Sequence, residues 1–333
     1  MNTVERTHAA LNFEKPDRLP VLEWAAWWDM TLERWYEEGL SRDLGEVELL
    51  RHFNLDLHFR EWYSPRGSVG HLKKEGTGHN DGITHTMAEY EPASEIITSA
   101  PVIDEERLQV VADHHAAGDG VYWLQLDGFF WFPRAMLGIE RHLMTFYDDP
   151  ELMHRMNEDI LAYNLRILDI VCEKAVPDLV TVSEDMSYNH GPMLSEDMFN
   201  EFIAPYYRRL VPAFQEKGIH VFIDSDGDIT PLIPWLQKIG VEGIVPLERM
   251  AGVDVNAIRA EHSQWKMIGA YDKTVMHKGE DAIRNEFERL LPVMRSGGFI
   301  PSVDHQTPPG VSLDQYRQYL ELYREYSIKG VKE

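Results

Sequence analysis

Eight apolar runs of strand length recur along the chain, spaced widely enough for a helix between most pairs, and this repetition limits the fold more than any other feature. They are "LPVLEW" (19–24), "LHFREW" (57–62), "VYWLQL" (121–126), "LVTVSE" (179–184), "HVFIDS" (220–225), "GIVPLE" (243–248), "KMIGAY" (266–271) and "FIPSVD" (299–304). Several are continuous rather than alternating, as expected of strands buried on both faces of a parallel sheet. Helical periodicity fills the intervals 133–147, 149–176, 195–217, 229–239, 254–262, 274–295 and 312–328, with Gly240 closing one helix and Ser312 opening another. Alternating β/α units over 333 residues predict an α/β chain, a closed (β/α)8 TIM barrel forming a single domain over residues 1–333. One stretch, 64–100, breaks the alternation. There Asn80-Asp81-Gly82 sits between polar and β-prone residues, predicting a β-hairpin inserted after the second strand, near 67–95.

Charge narrows the function. With 56 Asp and Glu against 32 Lys and Arg, the formal net charge is −24. Long-range repulsion then opposes nucleic acid and anionic membrane as partners. The single cysteine, Cys172, excludes an intrachain disulfide framework and a thiolate-rich metal site. No signal-peptide pattern and no spanning apolar run is present, so the expected compartment is the cytoplasm.

In a barrel of this type the site is built at the C-terminal strand ends. Those ends carry Glu23, Glu61, Asp127, Glu184 with Asp185, Asp224 with Asp226, Glu248, Asp272, and Asp304 with His305. Burying unpaired carboxylates costs on the order of several kcal/mol each, so such a ring calls for cations, protons or a basic ligand. Some are expected to be ordinary helix caps, Asp228 ahead of "ITPLIPWLQKIG" above all. Asp224 and Asp226 stand two apart at a strand tip, which points both to one side, and His305 adds an imidazole after the eighth strand. Asp224, Asp226, His305 and Glu184 form a candidate set for a divalent metal such as Zn, Mn or Mg; the alternative is a metal-free hydrogen-bond network. Candidate catalytic residues are Glu184, Asp226 and His305. Aromatic residues cluster after the first three strands: Trp24, Trp27 and Trp28, then Trp62, then Phe130 and Trp131 beyond Asp127. Core packing explains part of such a cluster, and a flat apolar substrate, touched by these rings and by Asp127, would explain the rest.

Longer segments carry a family likeness. "ERTHAALNFEKPDRLPV", "EDMSYNHGPMLSEDMFNEFIAPYYRRLV", "VFIDSDGDITPLIPWLQKIGVEGIVPLE", "MIGAYDK" and "GGFIPSVDHQTPPGVSLDQYRQYLELYREY" resemble the uroporphyrinogen decarboxylase superfamily over essentially the whole chain. The resemblance implies a (β/α)8 barrel and one of two activities, decarboxylation of uroporphyrinogen or methyl transfer involving a corrinoid protein. Decarboxylases of the family resemble one another in an arginine-rich segment after the first strand. Here that place reads "EWAAWWDMTLERW", aromatic and acidic, and a mouth without arginines would repel a substrate bearing eight carboxylates. Thiol-activating methyltransferases share a His-x-Cys at the fifth strand tip and a Cys near the eighth; those places hold Asp224, Asp226 and Asp304-His305. The resemblance therefore implies a corrinoid-dependent methyltransferase of O-demethylase type, taking methyl from a small aryl methyl ether to a Co(I) corrinoid (cobalamin) on a corrinoid-binding partner. The competing expectations are a decarboxylase and a non-catalytic corrinoid or tetrapyrrole carrier.

Overall fold

The computed structural model describes residues 1–25, 27–73 and 81–331. Seven of the eight apolar runs become strands of one parallel sheet: β1 (Leu57–Tyr63), β2 (Gly120–Asp127), β3 (Leu179–Ser183), β6 (His220–Asp224), β7 (Gly243–Val245), β8 (Lys266–Tyr271) and β9 (Phe299–Val303), in that spatial order. Between β3 and β6 lies a two-residue antiparallel ladder, β4 (Ser187–Tyr188) with β5 (Gly191–Pro192). Every residue of β2, β3, β8 and β9 is buried, because helices cover the outer face and packed side chains the inner one. The covering helices include Glu105–Ala117, Pro150–Cys172, Ala204–Gln215, Glu280–Ser296 and Leu313–Lys329. The last opens with the capping box of Ser312 and Gln315.

The first run, 19–24, is buried but joins no backbone ladder. Pro20 on this segment and Pro301 on β9 each lack the N–H that a ladder requires. Side chains bridge the two sheet edges instead. Toward β1, Asp56 N–H donates to the Val21 carbonyl and Val21 N–H to the Asp56 carboxylate, each at 2.8 Å. Toward β9, Glu23 accepts from Ser302 Oγ at 3.0 Å and Val303 N–H at 3.4 Å, while Trp24 donates through its backbone to Ser302 Oγ and through Nε1 to the Val303 carbonyl. The Tyr323 hydroxyl lies among the carbonyls of Pro20, Leu22 and Pro301. The result is a curled, TIM-like sheet whose eighth stave is held by side chains.

Two further departures have local causes. The helix expected over 133–147 is split at Gly138, whose φ of 78° ends Trp131–Leu137 before Ile139–Asp148 begins. The expected inserted hairpin is not what the described residues form. Arg66–Val69 and Met87–Thr98 are helical, and Thr86 caps the latter by accepting from Glu89 N–H. That T-x-x-E capping signal outweighs the β-prone residues before it. Ile83 and Thr84 donate to the Met136 carbonyl, seating the insert on the helix after β2. The rest of the predicted turn, 74–80 with Asn80, lies outside the described residues.

Replacing Glu23 with Ala would leave Ser302, Val303 N–H and the Tyr316 hydroxyl short of an acceptor in a buried seam. The expected loss is about 2–4 kcal/mol of unfolding free energy, read from urea denaturation, with Glu23→Gln losing less. A loss under about 0.5 kcal/mol would mean the seam does not hold the edge segment.

Candidate functional site

Register decides which acids meet. Asp127 on β2, Ser183 on β3 and Asp224 on β6 are aligned partners across three strands. On the inner face Gln125 Nε2 donates to Ser183 Oγ at 2.8 Å, and Ser183 Oγ lies 3.4 Å from Asp224 Oδ2. Beyond the strand end the chain turns: Glu184 is directed away from this face, and Asp185, in a left-handed backbone conformation at φ 47°, is brought to it. A pocket of about 160 Å³ opens there, with Asp185, Asp224 and Asp226 on one side and Trp24, Trp62, Trp131 and His305 around it.

The "DSDGD" tip thus divides its three carboxylates. Burial pushes Asp224 up to about 7, with Arg60 opposing and Asp185 reinforcing the shift. Burial, then the charges of Glu248, Asp185 and Asp224, push Asp226 up to about 8, against the pull of Lys273. The Asp226 side chain remains 40% exposed, so the crowding of like charges matters for its proton and solvent can replace that proton. Gly227 turns the chain with φ 82°, and a Cβ there would come 2.7 Å from the Tyr188 backbone. Asp228 accepts from Thr230 N–H at 3.1 Å, although the residue capping the short helix Thr230–Leu232 is Ile229 rather than the expected Asp228.

Most remaining acids of the ring are committed elsewhere. Glu61 pairs with Arg107, Asp272 accepts from Thr274, and Asp304 holds Lys273 and the Arg249 N–H. Glu184, expected as catalyst or ligand, does not line the pocket. It is fully buried, accepts from the backbone N–H groups of Phe129, Phe130 and Trp131 and from Tyr207, and is pushed up to about 7 by that burial. Its role is to seat the loop that presents Trp131. A side chain at Gly128 would meet the Glu184 carboxyl at 2.2 Å, which explains the glycine. Asp127, expected to touch substrate, is fully buried behind the wall, accepting from Trp62 Nε1 at 2.9 Å, Ser64 Oγ at 2.6 Å and Arg66 Nε at 2.8 Å.

The aromatic expectation divides in the same way. Trp24, Trp62 and Trp131 line the pocket. Trp27 packs within a cluster of Trp35, Phe53 and Tyr316, Trp28 lies 43% exposed at the start of the helix Asp29–Glu37, and Phe130 is buried against His142. The mouth is also more basic than the sequence implied. Arg66 stacks over Trp62 and Trp131, Arg134 covers the other contact of Trp131 and holds Asp185 at 2.9 Å, and Arg60 and Lys273 approach from β1 and after β8. These cations come from positions scattered through the chain, so no arginine-rich segment announces them. Asp185, named with Glu184 at the strand end, takes the pocket position in place of Glu184; it sits at φ 47°, a conformation costly for a non-glycine residue.

His305 sets its edge against Trp24 at 6.1 Å, with Nε2 3.9 Å from Asp226 Oδ2. Its Nδ1 accepts the Gln306 N–H at 2.9 Å, which leaves the proton of the neutral ring on Nε2. Burial, aided by Lys273, pulls its pKa down and favours that neutral form. A histidine metal ligand ordinarily offers a bare nitrogen and donates through the other, the reverse of this arrangement. Among the described residues, no three His, Cys, Asp or Glu side chains converge to hold an ion. The donor set fits a metal poorly, and no step below runs through one.

Residues 132–326 match the family described as uroporphyrinogen decarboxylase (URO-D). No curated protein matches significantly. Among solved structures, a methyltransferase from Methanosarcina mazei is similar with a TM-score of 0.66 at 14% identity, covering 98% of this chain and 98% of that one. A putative vitamin-B12 independent methionine synthase from Listeria monocytogenes gives a TM-score of 0.47 at 10% identity, covering 93% and 96%. At such identities the first likeness bears on the fold alone.

The raised proton affinity of Asp226 links to stability. From the ordinary value of 3.8 to about 8, the folded chain holds a proton that the unfolded chain releases. That contribution is complete below 3.8 and is lost as pH rises through 8. The urea midpoint of the unmodified protein should therefore fall more between pH 5 and pH 9 than that of Asp226→Asn. Parallel curves for the two proteins would show that Asp226 titrates normally.

Proposed function

We propose, on the premise that this chain belongs to the uroporphyrinogen decarboxylase family, that it is the donor-side enzyme of a corrinoid-dependent methyl transfer, cleaving a small aryl methyl ether. One observation carries this reading: a carboxyl group that keeps its proton near neutrality, Asp226, faces a pocket of about 160 Å³ walled by three tryptophans. That space suits one aromatic ring and is far below the several hundred Å³ of a drug-sized site, let alone a tetrapyrrole. Trp24, Trp62 and Trp131 would hold the ring by stacking and apolar burial. The cations Arg66, Arg134 and Lys273 support the frame, since each is already paired with a carboxylate.

The methyl acceptor is a reduced corrinoid on a partner protein, which supplies the nucleophile as a co-substrate. Cleavage leaves the electron pair of the methyl–oxygen bond on the ether oxygen, a poor leaving group unless it gains a proton as the bond breaks. Asp226 supplies that proton, and the product leaves as the neutral phenol. The new Asp226 carboxylate faces the Nε2–H of His305, 3.9 Å away, which steadies the charge until solvent restores the proton. Asp224, two residues earlier at the end of β6, raises the proton affinity of Asp226 to the extent that it is charged.

A decarboxylase of a small acid would use the same proton on a carbanion, and Arg60, which forms no ion pair among the described residues, favours it. Product analysis separates the two, since one releases a phenol and the other carbon dioxide.

Asp226→Asn should lower methyl transfer to a reduced corrinoid protein by about 100-fold or more, followed by the corrinoid absorbance with guaiacol-like ethers. Trp131→Ala should mainly raise KM, by about tenfold, with kcat less affected. The rate of the unmodified protein should decline above about pH 8 as Asp226 loses its proton. Full activity in Asp226→Asn would remove the acid from the mechanism. No transfer with any ether would bring forward the decarboxylase or the non-catalytic carrier.

A further inference from the structure

We infer, resting on the methyl-transfer reading above, that Arg60 anchors a carboxylate in a second pocket behind Trp24, so that the donor is a methoxylated aromatic acid rather than a neutral ether. This cavity measures about 310 Å³. Trp24, Trp27, Leu32, Leu49 and Leu50 make its walls largely apolar, and Arg60 enters from β1.

Arg60 differs from the other cations of the mouth. Arg66 holds Asp127, Arg134 holds Asp185 and Lys273 holds Asp304, whereas Arg60 forms no ion pair among the described residues. Its guanidinium lies 5.4 Å from the Trp24 ring and donates to the Trp24 carbonyl; the acid whose charge reaches it is the more distant Asp224. The pocket's own acids are occupied. Glu23 accepts from Ser302, Val303 and Tyr316, and Glu46 pairs with Arg107 at 2.7 Å. A guanidinium drawn into an apolar cavity without a counter-ion is stabilised by a ligand that brings one, and its planar fork matches a carboxylate. One cation and one apolar body suit a monoanion better than a doubly charged phosphate.

Trp24 lines both cavities, and Arg60 is near enough to Asp224 of the first for their charges to act on one another, so the donor's ring would lie against Trp24 with its carboxylate toward Arg60. The aromatic wall would then accept many ring substituents, while Arg60 would select for charge.

The test needs no corrinoid. Calorimetric titration of the full chain compares 3-methoxybenzoate with 3-methoxybenzamide, a neutral ligand of nearly equal shape, at pH 7. The unmodified protein should bind the acid about tenfold more tightly or better. Arg60→Gln should abolish that preference and Arg60→Lys should retain part of it. Leu49→Trp, which fills the cavity and leaves the arginine in place, should lower acid binding and guards against misfolding of the Arg60 variants. Equal binding of acid and amide by the unmodified protein, or a preference that survives in Arg60→Gln, overturns the assignment. A protein that prefers the acid but demethylates no ether retains the Arg60 site and loses the methyl-transfer reading. One that demethylates neutral ethers and acids alike loses only the Arg60 site.

Discussion

A carboxylate withdrawn from water at the tip of a parallel strand must find a cation, a set of hydrogen-bond donors or a proton. This constraint organises the upper half of the molecule. Asp127 and Asp304 take cations, Glu184 takes three backbone N–H groups and a tyrosine, and Glu23 takes a serine, a tyrosine and the backbone of β9. Asp224 and Asp226 have few donors and crowd one another, so burial and like charge raise their proton affinity. The same shortage that would destabilise a structural acid makes these two useful as proton donors near neutrality.

The partnered acids build what the unpartnered ones work within. Asp127 fixes the Trp62 ring through Nε1, and Glu184 fixes the backbone that carries Trp131. Arg66, lying over both rings, joins the two supports. Trp24 comes from the segment that bridges the sheet edges, so the third wall depends on the Glu23 seam. Pocket shape and sheet closure are therefore mechanically linked, and loosening either edge of the sheet would be felt at Asp226.

Arg60 and Arg134 show how charge is shared across the mouth. Arg134 holds both the carboxylate and the carbonyl of Asp185, keeping a positive-φ residue beside the acidic pair. Arg60 tempers Asp224 from below without contacting it. The net charge of −24 therefore says little about the local field, which depends on which few cations reach the interior.

The sequence alone determined the sheet and its direction. Seven apolar runs became strands, because residues that must be buried on both faces leave few options. It also placed Asp224, Asp226 and His305 at strand ends, and these do meet in one pocket. Tertiary structure decided the remainder. Pro20 and Pro301 became neighbours only in space, so the ladderless eighth stave could not be read locally. Whether Glu184 or Asp185 faced the pocket depended on the turn beyond β3, where Phe129, Phe130, Trp131 and Tyr207 hold the first and Arg134 the second. Packing also separated Trp24, Trp62 and Trp131, which line the pocket, from Trp27 and Phe130, which pack into aromatic clusters elsewhere. Composition and period belong to the chain, whereas the partner of a buried charge is chosen among residues far apart in sequence, and only packing brings those together.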